Sequence, residues 1–293
     1  KVKKVVCLDN FFLGSKENLD NASSHRNRFV LYSSDASDYH SVASILDLEK
    51  IDIVYNLATK ALMYSFENPF DAVNVNIQIA LNLAELLRKK KFKRLVQIST
   101  SEVYGSAIKA SIKETDPLRP ETSYASGKAG ADLALISYIN QFNLDIMILR
   151  PFNNYGPRQN TEKFAAIVPI TVKRIFNCKK PLIKGNGKQS RDFIYVIDTV
   201  EKIIKLSQMR ISDRVINIGS GIETEVNEIV STISSIMNYK KGVIFEKQRI
   251  ADVNRHKANI NILRKYIKTN KTTSLKIGLS LTVDWYKKSF QGK

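Results

Sequence analysis

Short apolar runs rich in β-branched residues alternate along this chain with longer stretches whose apolar positions recur every three or four residues. The runs at 5–8, 29–32, 51–55, 94–98 and 144–149 are nearly continuous, as in strands covered on both faces. From 69 to 90, the positions Val73, Ile77, Ala80, Leu81, Ala84 and Leu87 share one face at helical spacing. Residues 124–142 repeat the pattern with Ala125, Ala129, Leu133, Ile136 and Ile139. Strands alternating with helices predict an α/β protein with a doubly wound parallel sheet and crossover helices. After Pro151 the alternation loosens. Helices are predicted near 163–176 and 196–207, a turn at Gly185-Asn186-Gly187, then Asn217-Ile218-Gly219 and a further helix through Ile236. The expected organisation is a sheet domain over 1–150 and a smaller lobe over 151–293, with some segments returning to the sheet. Trp285, with Val283 and Phe290, reads as packing.

Composition narrows the class. A chain of 293 residues that is 43% hydrophobic has the apolar content for a large core. No run reaches the length of a membrane span, and the stretch from Lys1-Val2-Lys3-Lys4 lacks the long apolar run of a signal peptide; a cytoplasmic protein is expected. The charge is +18, from 46 basic against 28 acidic residues. The dense cluster at 88–94 falls where a helix ends, and cations there complement the helix dipole. The remaining excess is dispersed, so nucleic acid is not the expected partner. Cys7 and Cys178 read as reduced thiols, and no metal site is expected. His25, His40 and His256 lie in polar stretches without a paired acid nearby and receive no catalytic role.

The chemistry starts at Tyr124-Ala125-Ser126-Gly127-Lys128. Residues four apart share a helix face, so the Lys128 ammonium can favour the Tyr124 phenolate. Taken alone, the spacing is better read as chance placement of two common helix residues. Upstream, Gln97-Ile98-Ser99-Thr100-Ser101-Glu102-Val103-Tyr104-Gly105 begins as a strand and breaks into hydroxyls and a carboxylate. Downstream, another strand ends in Arg150-Pro151-Phe152-Asn153-Asn154-Tyr155-Gly156-Pro157-Arg158-Gln159. Ligands of open α/β sheets bind at such carboxyl ends.

Together these motifs resemble the extended short-chain dehydrogenase/reductase family of nucleotide-sugar epimerases, dehydratases and decarboxylases, which implies a Rossmann-like sheet and NAD. The stretch from Asn153 to Gln159, with Glu162-Lys163 and Ser190-Arg191-Asp192-Phe193, looks most like the nucleoside-diphosphate-glucose 4,6-dehydratases. The resemblance implies that Asp9 and Asn10 meet the adenosine ribose, that Asp35 and Ala36 lie on the adenine side, and that Leu57, Ala58 and Asn76 line the cofactor path with Tyr124 and Lys128. It likewise implies Asn153, Lys163, Arg191, Asn217 and Arg249 as contacts to a nucleotide-sugar substrate, and a homodimer. Thr100, Ser101, Glu102, Tyr124 and Lys128 would be the catalytic set: Tyr124 takes the 4-OH proton, Thr100 holds that oxygen, and Glu102 removes the C5 proton before water leaves from C6. Ser101 departs from the Asp usual in glucose 4,6-dehydratases. Thr-Ser-Glu also occurs in GDP-mannose-type dehydratases and UDP-glucuronate decarboxylases, so decarboxylation and 4-epimerisation stay open.

The family's G-x-x-G-x-x-G turn does not occur in these residues. Residues 3–10 look like the family's second strand, so a gap is expected between the strands near Val5 and Ile51, where the family's first strand would sit. The expectation is an intact enzyme's chain without its first βα unit, with weak or absent NAD binding as written; the alternative is an inactive module that has lost the phosphate loop.

Overall fold

The computed structural model describes residues 2–25, 27–247, 253–268 and 272–291. The first half runs β1 (Val5–Asp9), α1 (Asp20–Ser23), β2 (Phe29–Ser33), α2 (Tyr39–Glu49), β3 (Ile53–Asn56), α3 (Leu62–Ser65), α4 (Pro69–Arg88), β4 (Arg94–Ile98), α5 (Ser123–Phe142) and β5 (Ile146–Pro151). The second half runs β6 (Asn153–Tyr155), α6 (Ile167–Phe176), β7 (Leu182–Lys184), β8 (Ser190–Arg191), β9 (Phe193–Tyr195), α7 (Val196–Ser207), β10 (Val215–Ile218), β11 (Thr224–Glu225), α8 (Val226–Ile236), β12 (Ile244–Glu246), α9 (Asn261–Tyr266) and α10 (Leu275–Gln291). Among the described residues, no helix is long and apolar enough to cross a membrane.

The strands expected at 94–98 and 29–32 are present, and the helix expected at 69–90 ends two residues early. The helix expected from 163 begins only at Ile167. Thr161, Glu162 and Lys163 instead form a polar turn, in which Asn160 accepts from the Glu162 amide. The sequence reading named no helix at 39–49. Asp38 caps it by accepting from the amides of His40 and Ser41, and Lys50 closes it in the left-handed conformation at φ 51°.

The main sheet has the order β10-β5-β4-β3, every pair parallel. Helices cover both faces. Ile79, Leu83, Leu86 and Leu87 of α4 and Leu135 of α5 pack on Leu95, Ile146 and Ile148. On the other face, Ile203 and Leu206 of α7 and Leu263 of α9 pack on Val96, Met147, Leu149 and Ile216. Separately, α6, α8 and α10 enclose Val168, Val172, Ile229, Ile233, Leu279, Val283 and Tyr286, with Trp285 and Phe290 against this cluster.

The expected gap is present. Among the described residues, β1 pairs only with β2 and β3 only with β4, so two parallel edges lack partners. Burial follows: β5 is buried along its whole length, whereas Val5 in β1 is 51% exposed and Tyr55 in β3 is 37% exposed.

Two features hold the centre. Gly127 lets α5 approach α4 closely, because a Cβ there would lie 2.9 Å from both the Ala72 carbonyl oxygen and Val73 Cα. Beneath, Arg150 of β5 donates through Nε to Asp132 of α5 at 2.8 Å, both side chains being buried. Removing one partner of a buried pair strands the other charge. Asp132→Asn is therefore expected to lower unfolding free energy by about 3–5 kcal/mol in urea denaturation; a loss below ~1 kcal/mol, the range of an exposed pair, would contradict the role given to this contact. In hydrogen exchange, amides of β1 and β2 should exchange well before those of β4 and β5, since local stability follows burial; equal protection would contradict it.

Candidate functional site

Most of the candidate residues sit at or just beyond the carboxyl ends of the parallel strands. At the end of β4, Thr100 caps the 3-10 turn Ser101–Tyr104 by accepting from the Glu102 amide at 3.2 Å. Gly105 closes that turn at φ 65°, and a Cβ there would lie 2.2 Å from the Arg119 carbonyl; only glycine fits. Across from it, Thr122 caps α5 by accepting from the Ala125 amide at 3.2 Å, which fixes Tyr124 in the first turn. Two local caps therefore aim the hydroxyls of Thr100 and Tyr124 and the carboxylate of Glu102 at one place.

Electrostatics define the site further. Burial pushes the Tyr124 phenol up to about 12; the Thr100 hydroxyl, hydrogen-bonded to it, acts the other way, and the negative charges of Glu102 and Asp132 add to the rise. Burial also pulls Lys128 down to about 8, against the pull of Asp132. The expected partnership of Lys128 with Tyr124 takes a different form here. Lys128 Nζ donates to the Ile98 carbonyl at 2.9 Å, so its charge is spent on the end of β4 and beside Asp132.

Below lies a continuous buried network. Ser99 donates to Asp132 Oδ2 at 2.9 Å, Arg150 donates to the Tyr104 hydroxyl at 2.8 Å, and Tyr104 donates to Asn217 Oδ1 at 2.8 Å. Asn217 was expected to touch substrate. It is fully buried, and its Nδ2 donates to the Ile112 carbonyl at 3.0 Å, so its side chain ties β10 to the network instead.

The cofactor candidates form a second group. Asp9 at the end of β1 accepts from the Phe11 amide at 2.7 Å. A Cβ on Gly14 would lie 3.0 Å from Asp9 Oδ2, a tight approach to this carboxylate. Asp35 accepts from Asn10 Nδ2 at 2.8 Å and from the Ser37 amide at 2.8 Å. Partial burial opposes its charge, but the Ser37 and Asn10 hydrogen bonds hold its carboxyl below the usual range. Ala36 and Ala58 pack against the core beside α4, while Leu57 is exposed. Asn76 acts at one remove: buried on α4, it accepts from the Lys60 amide at 2.9 Å and donates to the Lys60 carbonyl at 3.1 Å, clamping the loop after β3.

The substrate candidates divide. Asn153, at the start of β6, holds a buried Nδ2 with no hydrogen-bond partner, an arrangement that costs free energy unless something fills it. Arg191 is half-buried, donates to the Ser190 carbonyl at 2.9 Å, and its charge reaches His256. Lys163 is exposed and paired with Glu67 at 2.6 Å. Arg249 lies outside the described residues. One group at the site was missed: His256 is fully buried, with Nδ1 3.4 Å from Ser101 Oγ.

Comparison with known proteins bears on the fold and the family. The family model for GDP-mannose 4,6 dehydratase matches residues 1–279. The human dTDP-D-glucose 4,6-dehydratase is 27% identical, with 98% of this chain and 83% of that protein covered. Among solved structures, the Thermotoga maritima UDP-glucose 4-epimerase with UDP-glucose has a TM-score of 0.91 at 28% identity, covering 98% of this chain and 92% of that one. The Bacillus anthracis dTDP-glucose 4,6-dehydratase in complex with NAD has a TM-score of 0.87 at 26% identity, covering 98% and 89%. Relatives of nearly equal identity thus carry the names of different reactions, whereas the fold and the family are common to all of them. The chain belongs to the GDP-mannose 4,6 dehydratase family, among the nucleotide-sugar epimerases and dehydratases.

Proposed function

We propose that this chain carries the active site of an NAD-dependent nucleotide-sugar 4,6-dehydratase. The observation that supports this most is Glu102, a carboxylate close enough to the Tyr124 phenol to raise its pKa, with Thr100 bonded to that phenol. A 4-epimerase needs the tyrosine and the threonine. It does not need a second base beside them.

The residues fit the two ends of the cofactor. Asp9, Asn10 and Asp35 offer anionic and amide groups suited to ribose hydroxyls, and a carboxylate at this place repels the 2′-phosphate of NADP. Tyr124, with the loop of Leu57 and Ala58 that Asn76 clamps, fits the nicotinamide end. NAD held by these residues would supply reversible hydride exchange with the sugar.

The chain's own groups handle protons and position. Thr100 holds the C4 oxygen while Tyr124 takes its proton as the phenolate, the form that a cationic nicotinamide ring beside it would favour against the burial that raises its pKa. The resulting ketone makes the C5 proton acidic, and Glu102 is the base at hand. The unpaired Nδ2 of Asn153 suits an oxygen-rich ligand such as a sugar. Arg191 provides a fork of donors for a sugar or a phosphate. UDP-glucuronate decarboxylation remains the second reading, because Ser101 in the Thr-Ser-Glu stretch replaces the acid expected of a glucose dehydratase, and the same C4 oxidation labilises a C5 carboxylate.

Supplied with nucleoside-diphosphate-glucoses and with NAD in large excess, which offsets the weak binding expected without a Gly-rich turn, the protein should release a 4-keto-6-deoxy sugar, and Glu102→Gln should slow that release by about 10²–10⁴-fold, the usual size of a general-base contribution. A 4-epimer as sole product, carbon dioxide from a nucleotide glucuronate alone, or unchanged turnover in the variant would reject the assignment.

A further inference from the structure

His256 sits between β12 and α9, on a loop whose backbone is tied to β8, its amide donating to the Ser190 carbonyl at 3.1 Å. Its Nε2 lies 2.6 Å from the Gly105 carbonyl oxygen. A carbonyl only accepts, so Nε2 carries the hydrogen, and Nδ1 of the neutral ring is a bare lone pair. That lone pair is 3.4 Å from Ser101 Oγ and 3.9 Å from Glu102 Oε1. The imidazole is fully buried and Ser101 is buried with it. A base is therefore held, out of water, behind the residue that replaces the expected acid and beside the residue proposed to deprotonate C5.

We propose that Ser101 and His256 form a relay that carries the proton taken from C5 by Glu102 to the oxygen leaving C6, His256 acting through Ser101 as a positioning residue. This rests on the dehydratase reading. At rest, Ser101 donates its one hydrogen to Nδ1 and has none for the sugar. Once Glu102 has taken the C5 proton and passed it to Nδ1, the hydrogen bond reverses: Nδ1–H donates to Ser101, whose own hydrogen turns to the C6 oxygen. The C5–H electron pair becomes the C5–C6 π bond, and the C6–O pair leaves with the oxygen. Ser101 gives that oxygen a proton and regains one from Nδ1, so that water departs and all three side chains return to their starting protonation. No outside acid is consumed. The order is enforced, because the leaving oxygen gains its proton only after C5 has lost one.

The surroundings suit such a transfer. Burial, the largest cause, holds His256 at about 4; the Gly105 carbonyl and Glu121 act upward and Arg191 downward. The neutral ring is therefore the resting form, with Nδ1 open to a proton from the neighbouring carboxyl. The separation is 3.9 Å, and catalytic hydrogen bonds are often this long before substrate is bound.

Two variants test the relay in the full chain with NAD and a nucleoside-diphosphate-glucose in deuterated water. His256→Gln keeps an N–H for the Gly105 carbonyl and lacks a base at Nδ1, and Ser101→Ala removes the hydroxyl with little change of shape. In each, cofactor reduction and deuterium entry at C5 should stay within about threefold of the parent, while release of the 4-keto-6-deoxy product falls about 100-fold. The double variant should be no slower than Ser101→Ala, since the two act in series. Product release at the parental rate in either variant, or C5 exchange falling in step with product, would overturn the relay. A parent protein that neither exchanges C5 nor forms the keto sugar would instead overturn the dehydratase reading itself.

Discussion

Arg150 and Asp132 place opposite charges where neither meets water, and the site stands on what that requires. Desolvating two ions is costly, so the pair is tolerable only with further hydrogen bonds around it. Ser99 at the end of β4 serves Asp132, Tyr104 in the following turn serves Arg150, and Asn217 of β10 serves Tyr104. Each belongs to a different element. The need to satisfy one buried pair thus fixes the relative positions of β4, β5, β10 and α5, and with them the turn that carries Thr100, Ser101 and Glu102.

The same scarcity of water sets the proton chemistry above. Tyr124 is pushed up and Lys128 down for one reason, that charge is unwelcome in this pocket. His256 follows the rule from the opposite wall. A site of this kind favours steps in which protons move between neighbouring groups without net charge appearing. The proposed C4 oxidation and C5–C6 elimination would both have that form with base, relay and leaving group adjacent.

Much of this was legible in the chain, for identifiable reasons. The strand at 94–98 and the helices over 69–88, 123–142 and 196–207 are strongly patterned, and pattern is local. The Tyr124 and Glu102 candidates were legible because caps at Thr122 and Thr100 place them within their own segments. Asn217 and His256 were not, because their partners are remote in sequence. The first exchanges a surface role for a buried one through Tyr104, and the second gains its acid only when the chain after β12 folds back on the end of β4. The helix at 39–49 went unnamed because its apolar stripe is narrow, with Val42 and Leu46 as its buried residues.

The central claim is that a carboxylate beside the tyrosine turns reversible C4 oxidation into elimination across C5 and C6. The most direct measurement follows one hydrogen. With a nucleoside-diphosphate-glucose deuterated at C4, the account predicts that the deuterium appears in the C6 methyl group of the product. Deuterium found again at C4 in an epimerised sugar would contradict it.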